Sequence, residues 1–111
     1  MRNPAAQLPR LSAAGAPMLA DIERAIELCL SRAGALEPAQ PERHALVYEV
    51  VQLRRLAEIV SSPARTPEPI KSHVVAVSTH DGLSFDDEVL NAVGRAFRSY
   101  ERWCRRSGSS R

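Results

Sequence analysis

The stretch that decides the fold is Ser84–Arg106, SFDDEVLNAVGRAFRSYERWCRR. At about 100° per residue, Arg95, Arg98, Arg102, Arg105 and Arg106 fall within an arc of about 100°. Val89, Leu90, Val93, Ala96, Phe97, Tyr100, Trp103 and Cys104 fill the opposite side. That pattern predicts one amphipathic helix over 84–106, with an apolar stripe for a core and arginines towards solvent. Ser84 followed by Asp87 reads as a capping box at its start. The acids Asp86, Asp87 and Glu88 suit the positive end of the helix dipole, and the arginines suit the negative end.

Upstream, Pro17–Ala33 reads as a first helix with the stripe Leu19, Ile22, Ile26, Cys29, Leu30 and Ala33. Pro17 suits a first helical position and Gly34 a C-terminal stop. The loop 34–41 carries two prolines, and a second helix follows to about residue 60. Its main stripe is Leu46, Val50, Leu53, Leu56, Ala57 and Val60, while Tyr48, Val51 and Ile59 point elsewhere. A helix apolar on two sides is expected to be central, and the short loop predicts an antiparallel pair with helix one.

Residues 61–71 form a proline-rich linker, since three prolines between Ser61 and Pro69 cannot continue a helix. The β-branched run SHVVAVST at 72–79 reads as a short strand or extended segment. Two other outcomes fit it, a short helix after Pro69 or a hairpin over Asp81-Gly82. The expected fold is therefore mainly α: a small three-helix bundle with one short strand or extended segment before the last helix. Residues 17–106 make one domain. The Ala- and Pro-rich residues 1–16 and the serine-rich 107–111 read as disordered tails. Arg2 and Arg10 without an acid before Asp21 resemble a transit peptide, but Pro4 and Pro9 break the helix that such a peptide needs.

A chain of 111 residues has room for one core, and its 44% apolar and 25% charged content is ordinary for a globular domain. A net charge of +2 defines no partner class, but its distribution is uneven. Six arginines stand against Glu101 after position 94, and four acids without a base lie between Asp81 and Glu88. Fourteen of the fifteen bases are Arg, a bias that fits a GC-rich, bacterial genome. Selection for two-pronged contacts to phosphate or carboxylate would produce it too. Cys29 and Cys104 lie in apolar stripes and read as core thiols. With no visible signal peptide and no apolar run near 18 residues, the expectation is a cytoplasmic protein without a membrane span.

Catalytic and metal patterns are weak. His44, His73, His80, Cys29 and Cys104 lack CxxC or HExxH spacing, so no metal or cofactor is expected. His80-Asp81 reads as turn chemistry, Ser61, Ser62 and Ser84 lack a nucleophile context, and the five glycines stand singly. No enzyme is expected. The tight turn of a helix–turn–helix is missing, and a ribbon–helix–helix needs its strand before two helices.

The arginine stripe Arg95, Arg98, Arg102, Arg105 and Arg106 is the candidate face for an acidic partner or nucleic acid, with a solvated helix face as the plainer account. After Asn91 no Asn, Gln or Lys interleaves with the arginines, so sequence-specific base reading is not expected. A helix lying on a membrane surface also fits the pattern, though an eight-residue apolar stripe is explained more simply as core. Trp103, at the edge of that stripe, is the candidate partner anchor. Surplus apolar surface on helix two, with the lone strand, predicts a homodimer. The expected function is a non-enzymatic protein–protein interaction module: a small dimeric adaptor, regulator or chaperone-like helical protein. The alternative is a nucleic-acid-binding regulator using the arginine stripe.

Overall fold

The computed structural model describes the backbone of residues 4–62 and 67–109, and the side chains of 17–62 and 67–106. The chain is mainly helical. Four helices follow one another: α1 (Pro4–Gly34), α2 (Pro41–Ser61), α3 (His73–His80) and α4 (Asp87–Ser109). Among the described residues there is no strand.

The expected three helices and a strand are thus corrected to four helices. The segment 72–79 folds as α3, and the cause is capping. The Ser72 hydroxyl accepts the N–H of Val75 at 3.1 Å, while the Glu49 carboxylate accepts the N–H of His73 at 2.8 Å. Those bonds satisfy donors that a short helix leaves open. The β-branching of Val74, Val75 and Val77 costs only a few tenths of a kcal/mol each, about what a single cap outweighs. An unpaired strand would have left its whole backbone edge without partners. Asp81-Gly82 ends the helix instead of turning a hairpin. Gly82 takes φ +70, and the N–H groups of Asp81 and Leu83 both return to the Val77 carbonyl.

Helix α4 begins at Asp87, and its cap is Asp86, not Ser84. The Asp86 carboxylate accepts the Val89 N–H at 2.9 Å. Ser84 instead donates its backbone N–H to Glu42 on α2. At the other end of the chain, α1 starts at Pro4, so most of the segment read as a tail continues the first helix. Its alanines favour that conformation, although Pro9 and Pro17 each lack an N–H for the turn before. Likewise α4 continues to Ser109, into the expected C-terminal tail. Residues 1–3, 110 and 111, and 63–66 of the linker, lie outside the described residues.

Helix α1 packs on α2 and α4, and α3 packs on the same two, so α2, the helix expected to be central, lies between α1 and α3 and has two neighbours like the rest. Ser99 of α4 bonds Asp21 of α1, and Glu88 meets Arg24 and Arg32, so α1 and α4 run antiparallel. The connection from α2 passes Tyr100 at Glu68 and Glu49 at Ser72 before α3 returns the chain towards Glu42. The core joins Ile22, Ala25 and Cys29 of α1, Leu46, Leu53, Leu56 and Ile59 of α2, Val74 of α3, and Val89, Val93, Ala96 and Tyr100 of α4. Burying each large aliphatic chain stabilises the fold by about 1.5–3 kcal/mol.

Candidate functional site

Helix α4 holds the basic face. Arg95, Arg98, Arg102, Arg105 and Arg106 are all exposed, while Val89, Val93, Ala96, Phe97 and Tyr100 are buried beneath them. Asp86 and Glu88 at the start of α4 do not neutralise this stripe, because they are engaged with α1. Asp86 and Glu88 each lie 2.6 Å from the Arg32 guanidinium, and Glu88 also lies 3.1 Å from Arg24. The Arg32 hydrogen bond, helped by the Val89 N–H, holds the Asp86 carboxyl below its ordinary value. None of the described ion pairs involves Arg95, Arg98, Arg102 or Arg105. Among the described residues, Arg102 donates to the neighbouring Ser99 hydroxyl at 3.4 Å. Arg98 folds back along its own helix, its guanidinium 3.1 Å from where a Cβ on Gly94 would stand.

Trp103 is half-buried and stacks on Tyr100, with centroids 5.8 Å apart and 29° between the rings. Tyr100 is buried, and its hydroxyl donates to the Glu68 carbonyl at 2.7 Å. Trp103 therefore sits beside the point where the linker meets α4, with part of its ring in water.

The outer face of α2 carries a second feature. Val47, Tyr48 and Val51 are exposed, Tyr48 by 51% and Val51 by 59%, and neighbouring α3 exposes Val75. Tyr48 meets the His73 ring edge-on at 4.6 Å. A shallow groove of mixed polarity continues from Tyr48 and Val51 past Gln52 and Arg55 to Pro69, Ile70 and Lys71. Ile59, the third residue that the sequence set apart from the main stripe, is fully buried.

The residue that pattern reading missed is Glu49, fully buried on α2. Its carboxylate accepts the Ser72 hydroxyl and the backbone N–H groups of His73 and Val74. Burial pushes its pKa above the carboxylate range, and those hydrogen bonds oppose the shift without reversing it. The signal was present: Leu46, Glu49, Val50 and Leu53 share the spacing of one helical face, with an acid in the middle of the stripe. Cys29 is fully buried near it, and burial raises the thiol to about 12. Cys104 is half-buried, and its thiol is also raised by burial. Neither is activated as a nucleophile, which needs a lowered pKa and access.

The three histidines are spread apart in role: His44 is exposed on α2, His73 begins α3 and His80 ends it. Among the described residues, no three His, Cys, Asp or Glu side chains converge on a metal position. No helix among them is long and apolar enough to cross a membrane. No protein-family model matches the chain, and no curated protein or solved structure shows significant similarity to it.

Proposed function

We propose that this chain is a non-enzymatic protein–protein interaction module that works as a homodimer. The observation that carries the reading is the exposed apolar face of α2, with Val47, Tyr48 and Val51 on one side of a helix whose other side is core. Single exposed apolar side chains are ordinary on a monomer, but Val47, Tyr48 and Val51 at helical spacing beside a shallow groove make a candidate contact surface. A dimeric adaptor or regulator would bury this face and leave α4 outward to meet an acidic partner. Trp103, partly wet and backed by Tyr100, is the anchor such a partner would cover. Light scattering during gel filtration, over a concentration series, tests the reading. Mass rising to twice the chain weight supports it, and a folded monomer at every concentration overturns it.

A second reading, nucleic-acid binding through α4, is favoured by one observation: Arg95, Arg98, Arg102 and Arg105 are exposed and outside the described ion pairs. Arginines on successive turns would follow a phosphate backbone without reading bases. Fluorescence anisotropy with a labelled random duplex at about 50 and 200 mM salt distinguishes this reading. Binding that weakens steeply with salt, and that R98E with R102E abolishes, supports it. No binding at the lower salt removes it.

A further inference from the structure

The outer face of α2 has an internal symmetry. His44, Val47, Tyr48, Val51, Arg54, Arg55 and Glu58 are all exposed and recur at spacings of three and four, the seam of a coiled coil. Around Val51 the residues are arranged as mirror partners in sequence. Tyr48 and Arg54 are equidistant from it, as are Val47 and Arg55, and His44 and Glu58. Laid antiparallel on a copy of itself with Val51 at the centre, this helix would set Glu58 against His44 and the Tyr48 ring against the Arg54 guanidinium at both ends. The first pair is an acid with a base, the second a cation on an aromatic face. The Arg55 stem would lie over Val47, and its charge is already satisfied by Glu68 at 3.0 Å.

We infer that the occupant of this face is a second copy of the chain, docked through α2 antiparallel to α2 about a two-fold axis beside Val51. The inference rests on the homodimer reading above and adds its surface, direction and register. A two-fold interface puts the same patch on both subunits, so each residue must tolerate its own mirror partner. This helix meets that condition with Val51 against its own copy at the centre, Tyr48 and Val47 against arginine side chains, and Glu58 against His44 outside. One helix face from each subunit makes an interface at the small end of the usual range, so association is read over a concentration series.

The test uses the full chain carrying Cys104→Ser, since Cys29 is fully buried. Val51→Cys puts a thiol on the axis beside its own copy, and Glu27→Cys puts one on exposed α1 as the collision control. Under mild oxidation V51C should join into a covalent dimer in high yield, and E27C should not. Glu58→Arg should weaken association about tenfold, and adding His44→Glu in the same chain should restore it. Sedimentation of the unmodified chain provides the reference. A dimer that neither crosslinks at position 51 nor responds to E58R overturns this surface and leaves the homodimer reading standing. A monomer with native circular dichroism across the whole concentration range overturns both.

Discussion

The Glu49 carboxylate on α2 accepts the backbone N–H of His73 at 2.8 Å, closing the N-terminus of a helix that begins 24 residues further along the chain. It also takes the Ser72 hydroxyl, whose oxygen in turn accepts the Val75 N–H. One buried acid thus converts a β-branched run into a helix and fastens the α2–α4 connection to the core. Glu49→Ala removes an acceptor from at least three donors and is expected to cost about 3 kcal/mol or more in urea unfolding. Glu49→Gln keeps a carbonyl oxygen and should cost less. Hydrogen exchange should locate the loss in α3, with the amides of His73, Val74 and Val75 opening first. Equal protection of those amides in wild type and E49A would refute the capping role.

Asp86 couples the same connection to α1. Its carboxyl is held low, first by Arg32 and then by the Val89 N–H, so its folded pKa lies below its unfolded one. Such a group contributes stability that is present above the unfolded pKa and is lost as pH falls through the folded one. Asp86→Ala should cost about 1 kcal/mol at neutral pH through the lost cap. Below the folded pKa the variant and the wild type should converge, as read by melting temperature against pH.

Alkaline unfolding follows from two buried groups. Burial raises Cys29 from 9.0 to about 12, and burial with the Cys104 hydrogen bond raises Tyr100 from 10.0 to about 12. Both are neutral in the fold, so their stabilising effect is complete below the unfolded pKa values and is lost as pH rises towards 12. Stability should fall between about pH 9 and 12, by up to about 1.4 kcal/mol per pH unit for each proton released on unfolding. Cys29→Ala should remove the earlier part of that fall, measured by urea titration at fixed pH steps. The Cys29 thiol of the folded wild type should also resist alkylation at neutral pH until the chain is unfolded.

Gly94 lies inside α4, where glycine is about 0.8–1 kcal/mol less favourable than alanine. An added Cβ meets only the far end of the Arg98 side chain, at 3.1 Å from Nη1. That guanidinium can swing towards water, so Gly94→Ala should stabilise the protein by about 0.5–1 kcal/mol. The melting temperature should rise by a few degrees. If Arg98 is instead held in place, the variant will melt at or below the wild-type temperature.

Tyr100 ties the linker to α4 through its hydroxyl. Tyr100→Phe leaves the ring packing and the Trp103 stack intact while removing the bond to the Glu68 carbonyl. The expected cost is about 1 kcal/mol, read by chemical denaturation. A cost near zero would mean that water replaces the hydroxyl.

What the sequence alone determined about this protein is what repeats at 3.6 residues: the helical class, the buried stripe of α4 and the exposure of Arg95, Arg98, Arg102, Arg105 and Arg106. Amphipathic period is a local property, and it survives whatever the helices pack against. The tertiary structure decided what depends on residues distant in the chain. Residues 73–80 are helical because Glu49 and Ser72 together supply caps that outweigh the valines' strand preference. The cap of α4 moved from Ser84 to Asp86, beside which Arg32 sits. Helix α2, apolar on two sides in the sequence, turns Val47, Tyr48 and Val51 outward and leaves them exposed. A one-dimensional pattern marks a face as apolar but carries no record of which neighbour arrives to cover it.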